Sequence, residues 1–263
     1  MYKRFNLKNK VAIITGACGL FGIEQTKALL ESSCTVIGID IDKNKIKKIE
    51  KKIQNINLVL LSCDVTNFSK VSKLSKLIIK KYKKIDILIN NLSFDYKPNK
   101  KSKNKETLNS LSISTWKKHL DIGLTSAFIC SQIFGKIMEV KKKGVILNIG
   151  SDLSTIAPDQ RLYSHLNSLK PVTYSVVKHG IVGLTKYLSS YWSNKNIRVN
   201  CLSPGGIYNK QDKTFIKKIK KLIPLKRMAN KNEYNEVIQF LCSDASSYMT
   251  GQNIVIDGGR TII

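Results

Sequence analysis

The chain has 263 residues and a formal net charge of +27, from 45 basic and 18 acidic side chains. That length suits one domain with a complete core, and 42% apolar content excludes a disordered or collagen-like chain. No apolar stretch approaches the roughly 18–20 residues of a membrane span, and Met1 to Lys10 lacks a secretory h-region, so a cytoplasmic domain without membrane association is expected.

Seven short apolar runs follow in chain order: 11–15, 35–40, 57–61, 85–90, 144–149, 197–202 and 253–257. They are continuous rather than alternating, as in strands covered on both faces. Amphipathic patterns at 20–32, 43–54, 68–82, 114–141, 172–194 and 231–242 separate them. Strand–helix alternation of this kind predicts right-handed crossovers and an α/β doubly wound parallel sheet with helices on both faces, in a single domain. Residues 97–110 are polar and basic and read as a surface loop. Residues 209–227 are basic and amphipathic, a short helix or a lid.

The charge invites a nucleic-acid reading, which the composition weakens. Only five of the basic residues are Arg (Arg4, Arg161, Arg198, Arg227, Arg260), and the other 40 are Lys. Base-reading proteins favour the bidentate fork of Arg. Lys, Asn and Ile can all be written with A/T-only codons, and the lysines are scattered. A solvated basic surface with no specific nucleic-acid partner is expected, biased toward anionic small molecules. The six cysteines form no CxxC pair and have no His cluster beside them, so free thiols and no metal site are expected.

The first strand ends in Thr15-Gly16-Ala17-Cys18-Gly19-Leu20-Phe21-Gly22. Glycines between a strand and a helix let the backbone turn tightly and approach a pyrophosphate, which then meets the helix N-terminus. Asp40 ends the second strand, 18 residues beyond Gly22. A carboxylate there accepts from the adenosine ribose hydroxyls and repels a 2′-phosphate, which favours NAD over NADP. Asp40 also competes with Asp42 to cap the helix that starts near Lys43.

Tyr174 and Lys178 stand at i and i+4, on one helix face. A phenol titrates at about 10, and a neighbouring ammonium favours the phenolate. A shift of two to three units takes roughly 3–4 kcal/mol. Ser151, at the end of the fifth strand, is placed to hold a substrate oxygen.

Together these residues resemble the short-chain dehydrogenase/reductases, in their short-subunit branch, over nearly the whole chain. The resemblance implies a Rossmann fold and reversible hydride transfer between NAD(P) and a carbinol or carbonyl. Tyr174 is then the acid/base, Ser151 the hydroxyl anchor, and Lys178 the ribose and tuning group. The cofactor would be held by Gly16, Cys18, Gly19, Leu20, Phe21, Gly22, Asp40, Asp64, Val65, Asn90, Asn91, Tyr174, Lys178, Pro204, Gly205 and Ile207. Ser203-Pro204-Gly205-Gly206 would face the nicotinamide, and 250–259 would form the C-terminal strand and turn. A homotetramer or homodimer packed through the helices at 114–141 and 172–194 is implied.

Four departures stand out. The glycines are spaced TGxxGxxG instead of TGxxxGxG. Gly123 stands where the family has a relay Asn, which leaves open a rerouted relay or a catalytically weak sensor or assembly protein. Asn91-Leu92-Ser93 replaces Asn-Ala-Gly. Ser151 and Tyr174 are 23 residues apart, more than in the family, so 157–171 is an insertion beside the active site. It brings Gln160 and Arg161 to the pocket mouth, and with Asp152 these are the candidate substrate residues. The segment 207–227 would act as a substrate lid. The runs around 151–161 and 170–180 resemble bacterial members linked to flagellin and surface-glycan sugar biosynthesis, including nonulosonic acid pathways. The expected substrate is a phosphorylated or nucleotide-activated amino sugar. The alternative within the enzymes is a 3-oxoacyl-carrier-protein reductase, whose NADP preference Asp40 opposes.

Overall fold

The computed structural model describes residues 3–94, 107–166 and 169–263. Most of the polar loop expected at 97–110, and residues 167–168 of the insertion, lie outside the described residues. Seven parallel strands form one sheet in the order β3-β2-β1-β4-β5-β6-β7. They are β1 (Val11–Thr15), β2 (Thr35–Asp40), β3 (Leu58–Ser62), β4 (Ile87–Asn90), β5 (Gly144–Ile149), β6 (Ile197–Pro204) and β7 (Asn253–Ile256). The order reverses between β1 and β4, so the chain leaves those two strands in opposite directions and opens a crevice at their carboxyl ends.

The helices are α1 (Leu20–Glu31), α2 (Lys43–Lys52), α3 (Phe68–Tyr82), α4 (Ile113–Leu120), α5 (Ser126–Lys141), α6 (Val172–Tyr191), α7 (Lys213–Lys221) and α8 (Asn235–Cys242). Neighbouring residues of a strand point to opposite faces, and the core divides accordingly. Ile14 packs with Leu29, Tyr234 and Ile238 under α1 and α8. Ile13 packs with Phe134, Ile146 and Trp192 under α3, α5 and α6. Both faces are buried, which is why the strands read as unbroken apolar runs. The helix expected across 114–141 is interrupted: residues 121–125 form a π-helical turn between α4 and α5.

Capping separates the helices into two kinds. Asp42 accepts from the amides of Asn44 and Lys45 at the start of α2. Asn67, Ser112 and Asp212 cap α3, α4 and α7 in the same way, each stabilising its helix by about 1 kcal/mol. Helix α1 begins at Gly19 with no side-chain cap. Its first-turn amides face the crevice at the switch point.

Candidate active site

The loop between β1 and α1 is held from behind. Thr15 Oγ1 accepts from the amides of Asn91 (3.1 Å) and Leu92 (3.2 Å). Asn91 Nδ2 donates to the carbonyls of Thr15 (3.0 Å) and Gly16 (3.1 Å), and Gln25 Nε2 donates to Asn91 Oδ1 (2.9 Å). Gly16 adopts φ +64, a left-handed conformation suited to glycine. Gly22 sits so close to the loop that a Cβ would lie 2.3 Å from the Gly16 carbonyl oxygen.

Asp42, not Asp40, caps α2. That leaves the Asp40 carboxylate turned to the glycine loop, where Oδ2 accepts from the Cys18 amide at 3.1 Å and Oδ1 from the Asp42 amide at 3.1 Å. An uncapped helix start, glycines where the loop and helix approach closely, and a carboxylate at the next strand end fit a dinucleotide. The other candidate cofactor residues divide. Asp64 Oδ1 accepts from the Thr66 amide and hydroxyl, and Val65 is buried. Leu20 is exposed at the helix start. Asn90 faces inward: its Nδ2 donates to Ser131 Oγ (3.0 Å) and Asn148 Oδ1 (2.8 Å), and Asn148 Nδ2 donates to Thr185 Oγ1 (2.8 Å). Its side chain therefore ties β4 to β5 and α5, and through Asn148 to α6, while Asn90 Oδ1 is buried with no hydrogen-bond partner among the described residues. Gly205 packs against Asp257, and Ile207 bridges to Ala229.

Beyond β5, Ser151 begins a tight turn. Its Oγ accepts from the Leu153 amide (3.2 Å) and donates to Asp152 Oδ1 (2.8 Å). The turn at 152–154 packs against α6, where Tyr174 lies in the first turn. Lys178 is buried, and its Nζ donates to the Ile149 carbonyl at 2.9 Å and stands 5.7 Å from the Tyr174 ring centroid. A second ammonium, that of Lys170, stands 3.6 Å from the same centroid. Sequence reasoning passed over Lys170, since one lysine among 40 carries no signal by itself.

Each of the three candidate substrate residues has another partner. Asp152 is buried, and its Oδ2 accepts from Arg260 Nη1 at 2.5 Å. Gln160 clamps the Lys170 backbone, donating to its carbonyl (2.9 Å) and accepting from its amide (3.0 Å). Arg161 has an 88% exposed side chain that pairs with Asp159. The insertion's cation that lies against Tyr174 is thus Lys170, while Arg161 pairs with Asp159. The insertion also packs against α7. Leu162, Tyr163 and Leu166 share a cluster with Ile219, Ile223 and Met228. His165 Nε2 meets Asp212 Oδ1 at 2.8 Å, and Lys218 Nζ donates to the Arg161 carbonyl (2.9 Å) and Ser164 Oγ (2.7 Å). Burial pushes the Tyr163 phenol up to about 12, so it stays neutral.

Gly123 lies in the π-helical turn, packed on α6. A Cβ there would fall 2.5 Å from Val177 Cγ1. The place of the relay Asn is therefore filled by Val177. Gly123→Asn is expected to lower stability by about 1–3 kcal/mol through overpacking. Thermal unfolding checks this, and Val177→Ala in the same chain is expected to recover most of the loss.

Comparison with known proteins settles the family. The family model described as enoyl-(acyl carrier protein) reductase matches residues 21–261. The chain belongs to the short-chain dehydrogenase/reductase family. Among short-chain dehydrogenase/reductases and related proteins, it is 33% identical to an NAD-dependent glycerol dehydrogenase of Listeria innocua, over 99% of this chain and 97% of that one. It is 30% identical to the post-translational flagellin modification protein A of Campylobacter coli, over 96% and 98%. A short-chain dehydrogenase of Leptospira borgpetersenii solved with bound NAD+ superposes with a TM-score of 0.87 at 30% identity, covering 99% of this chain and 97% of that one. The chain is thus an oxidoreductase of a family that uses a nicotinamide cofactor. Among the described residues no three His, Cys, Asp or Glu side chains gather as a metal site, and no helix is long and apolar enough to cross a membrane.

Proposed function

We propose that the protein transfers a hydride between NAD and a secondary alcohol or ketone of an anionic sugar, a phosphorylated or nucleotide-activated amino sugar of glycan biosynthesis, in the cytoplasm. The observation that carries the anionic preference is Lys170, whose ammonium sits over the Tyr174 ring. A polyhydroxylated substrate agrees with the similarity to the glycerol dehydrogenase of Listeria innocua. The choice of NAD rests on the Asp40 carboxylate, which would meet a 2′-phosphate with like charge.

In this reading Gly16, Cys18, Gly19, Leu20, Phe21 and Gly22 hold the pyrophosphate, and Asp40 holds the adenosine ribose. The nicotinamide supplies the hydride acceptor and donor. Tyr174 Oη takes the proton of the substrate hydroxyl during oxidation and returns it during reduction. Lys178, fixed on the Ile149 carbonyl, supplies the positive charge that favours the phenolate. Ser151 Oγ holds the substrate oxygen beside that phenol. The insertion and α7, packed as one body, form the wall over the substrate. The two long helices α5 and α6 expose Phe128, Tyr187 and Tyr191, a face suited to a second copy in a homodimer or homotetramer.

The test is NAD+ reduction across phosphosugars, nucleotide sugars and neutral polyols. Expected is a kcat/KM at least about tenfold higher for anionic sugars, lost in Lys170→Gln. Faster turnover of a 3-oxoacyl thioester with NADPH would replace this reading with that of a carrier-protein reductase. Asp40→Ser is expected to narrow the NADH-over-NADPH preference by about tenfold, equal to about 1.4 kcal/mol. The ratio of kcat/KM values for the two cofactors measures it.

A further inference from the structure

We infer that the buried Asp152–Arg260 ion pair is a positioning device for Ser151, through which the C-terminal turn sets the catalytic hydroxyl; this rests on the reading of Ser151 as the substrate anchor. Arg260 and Asp152 are 7% and 4% exposed. Arg260 Nη1 donates to Asp152 Oδ2 at 2.5 Å, while Asp152 Oδ1 accepts from Ser151 Oγ (2.8 Å) and from the Leu153 amide (2.9 Å). Both carboxylate oxygens are thereby occupied, and the plane of the group is set from the far side by the guanidinium.

The arginine is itself aimed by a built turn. Asp257 Oδ1 accepts from the Gly259 amide (2.9 Å) and Oδ2 from the Thr261 amide (2.8 Å). Gly258 and Gly259 take φ +69 and +89, conformations that suit glycine. The turn carries Arg260 inward across 108 residues of sequence to reach Asp152.

Stability alone is a poor reason for such a pair. Two charges taken out of water gain little over an apolar pair of the same size, while removal of one partner leaves a buried unpaired charge. What the pair provides is direction. Ser151 Oγ is held between Asp152 Oδ1 and the Leu153 amide; when substrate binds, the hydroxyl turns its one hydrogen to the substrate oxygen, while Asp152 Oδ1 still fixes the turn through the Leu153 amide. Without Arg260 the carboxylate is free to turn, and the turn that places the hydroxyl loses its anchor.

The test is a cycle with Ser151→Ala. Arg260→Met is expected to lower kcat by about 10–100-fold, as misplacement of a reacting group does, with KM for NAD unchanged. In the Ser151→Ala background the same change is expected to cost nothing further. Arg260→Lys is expected to recover much of the loss. An equal loss with and without Ser151 would overturn the inference. Should Arg260→Met fold poorly, the uncharged pair Asp152→Ala/Arg260→Met takes its place in the cycle.

A second readout needs no substrate. Hydrogen exchange at the Leu153 amide is expected to speed by about tenfold or more in the Arg260 variant, with β6 and α6 amides unchanged. Unchanged exchange at Leu153 would also overturn the inference. A wild-type enzyme inert toward every alcohol would instead strike at the proposed reaction, and the exchange result would still decide the role of the pair.

Discussion

Tyr174→Phe is expected to lower turnover by about 10²–10⁴-fold, the usual contribution of a positioned acid/base, while NAD still binds. The substitution removes one oxygen and keeps the ring that lies against Lys170 and near Lys178. Packing at the start of α6 is preserved, since the ring body makes the same contacts. In the proposed reaction only the proton carrier is lost, so the effect belongs in kcat. Initial rates of NAD+ reduction, with cofactor affinity measured by fluorescence titration, separate the two quantities. Turnover within about tenfold of wild type would mean that another group moves the proton.

Gly22→Ala is the second large effect, and it acts on the cofactor end. Most Gly-to-Ala changes inside helices stabilise them. Here the added methyl would stand 2.3 Å from the Gly16 carbonyl oxygen and 2.9 Å from Ala17 Cα. Both are backbone atoms, so the helix and the loop must separate. That loop is pinned to β4 through Asn91 and to β2 through the Cys18–Asp40 bond, so the strain has little room to dissipate. A loss of about 1–3 kcal/mol is expected, or roughly 2–4 °C of melting temperature per kcal/mol. NAD affinity is expected to fall at least about tenfold as the first-turn amides of α1 move away from the loop. Thermal unfolding and cofactor titration measure the two. An unchanged melting temperature and dissociation constant would show that the close approach of loop and helix is not needed.

The cysteines agree with a plain reading of composition. All six cysteines are free, and burial pushes the Cys18 and Cys242 thiols up to about 12. They are protonated at neutral pH and poorly suited to redox or metal chemistry.

The sheet and the order of its helices were legible because local signals reinforce one another. Runs such as Val11–Thr15 and Thr35–Asp40 are buried on both faces, and amphipathic stretches between them must cover those faces. The glycine loop, Asp40, and the Tyr174 and Lys178 pair were legible because their chemistry requires fixed spacings along the chain. Less legible were the breaks. The pattern at 114–141 reads as one helix, yet Gly123 lets it form a π-helical turn against Val177, a contact between residues far apart in sequence.

Side-chain direction was decided by the tertiary structure alone. Asp152, Gln160 and Arg161 all read as candidate substrate groups. The fold turns Asp152 inward to Arg260, spends Gln160 on the Lys170 backbone, and leaves Arg161 outside on Asp159. Asp40 and Asp42 were equal competitors for one helix cap until the backbone placed Asp42 at the N-cap. Periodicity and spacing thus determined the family and the sheet, and brought Tyr174 and Lys178 onto one helix face, since these depend on local geometry. Which charged group faces the substrate and which is buried depends on where distant segments meet, and no local pattern encodes that.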